Sequence, residues 1–133
     1  MDSASREALL RRSVEAWNAD DFDQLASVWQ NDGTIVSPEG WPEPGTFRGW
    51  DALVAQWRRL KDSWDDEHVE LISTETAGER AFASARWVMR GEASGAPLEV
   101  MVWMIYDFSG DRISRIEYFL DEMAARSALG ESR

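Results

Sequence analysis

Apolar residues fall into two rhythms along this chain, a helical one in the first half and a strand-like one in the second. Leu10, Val14 and Trp17 recur every three or four residues, which places them on one side of an α-helix that Asn18 can end. Asp21 and Gln24 then have the spacing of a capping box, opening a second helix whose apolar stripe is Leu25, Val28 and Trp29. Asn31-Asp32-Gly33 is a turn sequence, so the helix is predicted to stop there and release the chain into a strand at Thr34-Ile35-Val36. Ser37 to Gly49 is dense in Pro and Gly and reads as a loop over the mouth of a pocket, with Trp41 on a mobile rim. From Asp51, the expected N-cap, Leu53, Val54, Trp57, Leu60 and Trp64 define a third amphipathic helix, with Arg58, Arg59 and Lys61 on its other side.

Four strand-like runs follow, Val69 to Thr76, Arg80 to Met89, Leu98 to Phe108 and Ile113 to Leu120. Ala77-Gly78 and Ser109-Gly110 are turn pairs and Gly91 to Ala96 is a longer bend, so consecutive strands are expected to pair antiparallel. Asp121 can cap a short closing helix that Gly130 would stop. Helices first and strands last make the fold class α+β, in one domain over residues 1–133.

Composition narrows the functions open to such a domain. A formal charge of −11, from 25 acidic against 14 basic residues, opposes binding to phosphate backbones and anionic lipid, so neither nucleic acid nor membrane is an expected partner. No cysteine is present, which removes disulfides, thiolate nucleophiles and Cys-ligated metals, and the single His68 cannot build a His-rich zinc site. No cofactor or metal is expected. The first residues lack an apolar leader segment and no run is long enough to span a bilayer, which sets a cytoplasmic location as the expectation.

Three segments carry a family resemblance: residues 13 to 35, Trp41 to Leu53 (WPEPGTFRGWDAL), and Ile105 to Gly130 with its Ala-Leu-Gly ending. Together they resemble the SnoaL-like, polyketide-cyclase branch of the nuclear transport factor 2-like superfamily. The resemblance implies a cone-shaped, cystatin-like α+β roll, with N-terminal helices packed on a curved, mainly antiparallel sheet. It implies a pocket for a small apolar molecule such as a polyketide, terpenoid or steroid-like ring compound. It leaves the reaction open, because this fold hosts many chemistries and some members have none. Ketosteroid isomerase, of the same superfamily, uses an Asp base with a Tyr and a protonated Asp as donors; Ser37, Ser13 and Met104 stand at those places here. Limonene epoxide hydrolase, also similar, needs an Arg and two Asp residues; Tyr118 replaces one Asp, and Ala85-Arg86-Trp87 lies where Arg-x-Asp is required. Both mechanisms are disfavoured.

Alternation along the strands selects the remaining candidates. Val100, Val102, Met104 and Tyr106 share one face, and Met101, Trp103 and Ile105 the other. If Phe82, Ser84 and Val88 face the pocket, Arg86 does too and could bind a carboxylate, enolate or phenolate oxygen. Ala83, Ala85, Trp87 and Met89 form the competing apolar face, on which reading Arg86 faces outward or pairs with a structural carboxylate such as Glu117. Tyr118, sharing parity with Ile116 and Leu120, is a candidate hydrogen-bond donor or general acid, or else an amphipathic ring filling the core. Arg86 and Tyr118 are the catalytic candidates, and Trp17, Ser37, Trp41, Trp57, Ser84, Val102 and Met104 the substrate-binding ones. The acidic run Asp65-Asp66-Glu67 reads as a solvated helix exit, and no carboxylate pair reads as buried.

Two functions fit. One is a cofactor-independent isomerase, cyclase or hydratase acting on an apolar carbonyl compound; the other is a non-catalytic dimeric binding or accessory domain. The apolar residues on both faces of the Leu98 to Phe108 strand imply a homodimer through the convex sheet face, with Trp87, Met101, Trp103 and Ile105 in the contact.

Overall fold

A computed structural model describes residues 2–91 and 97–131 of the chain. The elements are α1 (Ser3–Asn18), α2 (Phe22–Val28), β1 (Trp29–Ser37), β2 (Gly45–Arg48), α3 (Trp50–Asp62), β3 (Asp66–Ala77), β4 (Arg80–Arg90), β5 (Leu98–Ser109), β6 (Arg112–Phe119) and α4 (Glu122–Glu131). The strands form one open mixed sheet in the order β2-β1-β6-β5-β4-β3. Every neighbouring pair is antiparallel except β1 with β6, which is parallel and joins the first strand to the last. The sequence bend at Gly91 to Ala96 falls, after Gly91, outside the described residues.

The predicted helices form, but two end earlier than the apolar spacing placed them: Trp29 opens β1 rather than closing the stripe of α2, and Trp64 lies beyond the end of α3. Asp2 accepts from the Ser5 amide at 2.8 Å to cap α1, and Asp21 accepts from the Gln24 amide at 3.0 Å to cap α2. Asn18 does more than end α1: its side chain donates to the Val69 carbonyl at 2.9 Å and accepts from the Val69 amide at 2.8 Å, fastening α1 to β3. Asp51 is not the cap of α3. Gly49 holds that position at φ 93° without a side-chain bond, and Asp51 lies in the first turn, where its charge suits the helix dipole. Asp121 caps α4 through the Ala124 amide, and the helix continues through Gly130.

The turn expected at Asn31-Asp32-Gly33 is instead a bulge within β1. From the pair Trp29 with Ile113 to the pair Thr34 with Arg115, β1 advances five residues while β6 advances two. Gly33 is required because a Cβ there would lie 2.5 Å from Trp29 Cε3. Further register shifts in β3 between Leu71 and Ser73, and between Asp107 and Phe108 where β5 meets β6, bend the sheet around its helices.

The main core lies between α1, α2, α3 and the concave sheet face, with Trp57 at its centre. The Trp57 ring meets Trp17, Trp29 and Trp50 edge-on at 5.6 to 6.1 Å, tying α1, β1 and α3 together. A smaller cluster lies on the convex face, where Ala125 of α4 packs on Phe82 and Ile105 with Trp103, Phe119 and Leu129 around them. Helices therefore cover part of both faces, and Ile105 is buried within the chain itself.

Candidate functional site

Between the helices and the concave face lies a cavity of about 80 Å³. Ser13, Val14 and Trp17 of α1, Leu25 of α2 and Gln56, Trp57 and Leu60 of α3 form its roof. The sheet supplies Trp29, Val69, Trp87, Val102, Met104, Tyr106, Ile116 and Tyr118, and Trp41 reaches in from the β1–β2 connection. Among the described residues no side chain on this wall carries a charge.

Strand parity on β4 decides which candidates reach the cavity. Val102 of β5 pairs with Ala85, and Val100 with Trp87, so Ala83, Ala85, Trp87 and Met89 share the concave face with Val102 and Met104. Arg86 consequently points the other way. It donates to Glu70 at 2.9 Å and approaches Glu99 at 3.8 Å, with 41% of its side chain exposed, so the expectation that it enters the pocket is corrected. The reason is burial: indole and methyl groups gain from the apolar interior, whereas a guanidinium there would need a buried partner. Ser84 goes with Arg86 to the convex face, where its hydroxyl pairs with that of Ser73 at 2.5 Å. Trp87 makes the opposite move and leaves the expected dimer contact for the cavity wall.

Trp17, Trp57, Val102, Met104 and Tyr118 all lie on the wall. Ser37 is buried one layer behind it, accepting from Gln56 Nε2 at 3.4 Å. Trp41, expected on a mobile rim, is 8% exposed. Its ring stacks between Trp87, with centroids 5.4 Å apart, and Tyr118, at 4.8 Å. His68 is half-exposed and bonded to Glu70 at 3.1 Å, away from the cavity.

The polar groups at the cavity are few. Gln56 is buried, and its Oε1 has no hydrogen-bond partner among the described residues. Tyr106 donates to the Met104 sulfur at 3.5 Å, a weak acceptor, and lies beside the Ser13 hydroxyl. Burial pushes the Tyr106 phenol well above its ordinary value, the nearby Tyr118 adds to this, and the Ser13 bond opposes it. Burial alone raises the Tyr118 phenol in the same way. Both rings are therefore neutral hydrogen-bond donors through the physiological range.

One buried carboxylate stands behind the aromatic wall. Glu67 Oε1 accepts from the indole N–H of Trp17 at 2.7 Å and of Trp87 at 3.0 Å, while Oε2 receives Lys61 Nζ at 2.8 Å. Only 6% of its side chain is exposed, which corrects the reading of Asp65-Asp66-Glu67 as a solvated run. Lys61 also reaches the Trp17 carbonyl at 2.8 Å and Asp20 at 2.7 Å, and sits 3.9 Å from the Trp17 ring centroid. The cluster fixes two wall rings in orientation, and donors occupy both carboxylate oxygens.

Three of these residues carried a readable signal. Gln56 shares the helical face of Leu53, Trp57 and Leu60, and Tyr106 shares the strand face of Val102 and Met104. Glu67 alternates with Val69 and Leu71, but its acidic neighbours mask the pattern. Among the described residues no group of three His, Asp or Glu side chains could hold a metal ion, and no helix is long and apolar enough to cross a membrane.

Helices closing an apolar cavity against one face of a curved, open sheet define the cone-shaped α+β class. The SnoaL-like domain family matches residues 10–116, and the chain belongs to that family. Among curated proteins none matches the sequence. Solved structures share the fold at low identity. TerC co-crystallised with polyporic acid is 14% identical with a TM-score of 0.79, the match covering 95% of this chain and 98% of that one. A protein with a ketosteroid isomerase-like fold from Catenulispora acidiphila, in complex with trimethylamine, is 16% identical over 92% of each chain, with a TM-score of 0.74. A SnoaL-like protein of unknown function from Burkholderia thailandensis is 22% identical over 91% of this chain and 98% of that one, with a TM-score of 0.72.

Proposed function

We propose that this chain is a small-molecule pocket protein whose ligand is an uncharged, flat, apolar ring compound bearing a hydroxyl or carbonyl group. The observation that carries this is the wall itself: aromatic and aliphatic throughout, uncharged, and interrupted by the unpaired Gln56 Oε1 and the phenols of Tyr106 and Tyr118. An unpaired buried acceptor costs about 1–3 kcal/mol, which a ligand hydroxyl would relieve. The tyrosines supply donors for a carbonyl oxygen. TerC, with the same fold, was co-crystallised with polyporic acid, which is compatible with an organic ligand in such a cone.

Binding without catalysis is the reading this wall favours. An isomerase, cyclase or hydratase acting on an apolar carbonyl compound would retain only Tyr118 of the two catalytic candidates, as an oxyanion donor. Its support is the pair of phenols held protonated by burial. A base would have to come from the substrate or from water, because among the described residues no lining side chain is a carboxylate or histidine. The test is a thermal-shift and turnover screen of aromatic and terpenoid carbonyl compounds on the parent, Arg86→Ala and Tyr118→Phe. Stabilisation shared by the parent and Arg86→Ala but diminished in Tyr118→Phe supports the site. Equal stabilisation in all three overturns the role of Tyr118, and turnover lost in Tyr118→Phe selects catalysis.

We also infer a homodimer through the convex face, narrowed to Met101 and Trp103. Met101 is 37% exposed and Trp103 half-buried, whereas Ile105 is covered by α4 and Trp87 faces the cavity. A monomeric mass by light scattering would refute it.

A further inference from the structure

The cavity is too small for the ligand class just proposed. At about 80 Å³ it has about half the volume of an engineered cavity that takes up benzene, at roughly 150 Å³. Drug-sized ligand sites run from about 300 Å³ upward. Something must move, and one side chain already occupies the position a planar ligand would want. Trp41 lies nearly parallel to Trp87 (20°) and to Tyr118 (25°), filling a slot one ring thick between them.

The segment that carries Trp41 is built unlike the walls around it. It joins the end of β1 at Ser37 to the start of β2 at Gly45, and Glu39, Gly40, Pro42 and Pro44 are exposed while the Trp41 indole is buried. Gly40 (φ 90°) and Gly45 (φ 123°) flank the indole in backbone conformations that favour glycine. Besides the stack, the strap is held by a turn bond from the Trp41 amide to the Pro38 carbonyl at 3.1 Å and by the exposed Arg59–Glu43 pair, closest at 2.9 Å. The pair is bidentate, with Arg59 Nε and Nη2 both donating to the Glu43 carboxylate, but it lies at the surface, where solvent screening limits its hold on the strap. Trp87 and Tyr118, by contrast, sit on paired strands, and Trp87 is also fixed through Glu67.

We propose that the Trp87–Tyr118 slot is the binding position for a planar, fused-ring aromatic ligand, and that Trp41 is an internal plug which such a ligand displaces by swinging the strap outward. This rests on the pocket reading above and adds the ligand's shape and its mode of entry. A ligand ring replaces the indole on the same two faces, so the stack is exchanged and the net cost is exposure of Trp41. The closed plug lowers apparent affinity by the fraction of molecules that are open. Removing the indole removes that penalty while leaving both slot walls in place. The orphan Gln56 Oε1 on the same cavity wall gives a ligand hydroxyl a partner.

The test is calorimetric titration with 2-naphthol, a flat bicyclic ring with one hydroxyl. It is made on the parent, on Trp41→Ala, and on a Glu43→Cys/Arg59→Cys variant before and after cross-linking with bismaleimidoethane, the natural chain having no cysteine. Trp41→Ala is expected to bind about tenfold tighter than the parent, and cross-linking to weaken binding by about tenfold. Parent binding with no gain in Trp41→Ala overturns the plug and leaves the pocket reading standing. No binding by either protein overturns both. Should Trp41→Ala fail to fold, the cross-link decides alone: unchanged affinity with the strap tethered overturns the displacement.

Discussion

On β4 the two faces of the sheet are one residue apart and chemically unlike. Ala83, Ala85 and Trp87 point into an uncharged cavity, whereas Ser84 and Arg86 between them point to the convex side, where Ser84 is buried against the Ser73 hydroxyl and the Arg86 ion pair meets solvent. The same division runs across the sheet, with Met104 inward beside Ile105 outward and Tyr118 inward beside Glu117 outward. The comparison shows where electrostatics counts in this molecule. The Arg86–Glu70 pair on the convex face sits in high dielectric and is dispensable, whereas Arg80 and Asp107 on that face are largely buried and doubly bonded, as costly to disturb as the polar groups of the concave side.

The sharpest way to break that contrast is to remove the buried carboxylate. Glu67→Ala leaves Lys61 without its buried counter-ion and two indole N–H groups without an acceptor, and is expected to cost about 3–5 kcal/mol in urea unfolding. A loss near zero would mean the cluster is solvated. Gly33→Ala strikes the bulge that holds Trp29 in the core; with a Cβ 2.5 Å from that ring, about 1–3 kcal/mol of destabilisation is expected from the same measurement.

Next in size is an effect on binding. Tyr118→Phe keeps the stack with Trp41 but deletes a donor, and should weaken 2-naphthol binding by about five- to tenfold, corresponding to one hydrogen bond of ~1 kcal/mol. The same substitution reports on alkaline stability. Burial keeps the Tyr106 and Tyr118 phenols protonated in the folded state above the ~10 at which unfolded tyrosine ionises. Above that pH the unfolded chain releases protons that the folded one retains, so this contribution is fully present below ~10 and lost as pH rises further. Urea midpoints taken from about pH 8 to 11 should fall, and fall less steeply in Tyr118→Phe.

The smallest effect belongs to the convex face. Arg86→Ala should leave both the melting temperature and 2-naphthol affinity unchanged, because its partner Glu70 is exposed and water replaces the pair. A loss of affinity would return Arg86 to the site.

Much of the scaffold was legible because it is written in local chemistry. Helical spacing located α1, α2 and α3, Asp21 announced its cap, and the turn pairs Ala77-Gly78 and Ser109-Gly110 set the hairpins β3–β4 and β5–β6. Some errors were local, as with Gly49 rather than Asp51 at the start of α3; the larger ones depended on what a residue meets far along the chain. Asn31-Asp32-Gly33 has turn composition, yet parallel pairing of β1 with β6 draws it into a bulged strand. Glu67 looks solvated among Asp65 and Asp66 until Trp17, Lys61 and Trp87 converge on it from three other elements. Trp41 sits among prolines and glycines that suit an exposed loop, and it is the slot between β4 and β6 that buries it.

By itself, then, the sequence determined the helices, the positions of four of the strands, the α+β class and the apolar character of the interior, since periodicity, capping and turn propensity act over a few residues; it left β2 inside a loop and began β1 too late. Only the tertiary structure decided that Arg86 lies outside, that Glu67 lies inside, and that Trp41 fills the space between Trp87 and Tyr118. With apolar residues on both parities of β4, alternation alone does not choose a face. That choice was made by the helices packing over the concave side, where burial of Trp87 is favourable and burial of an unpaired guanidinium is not.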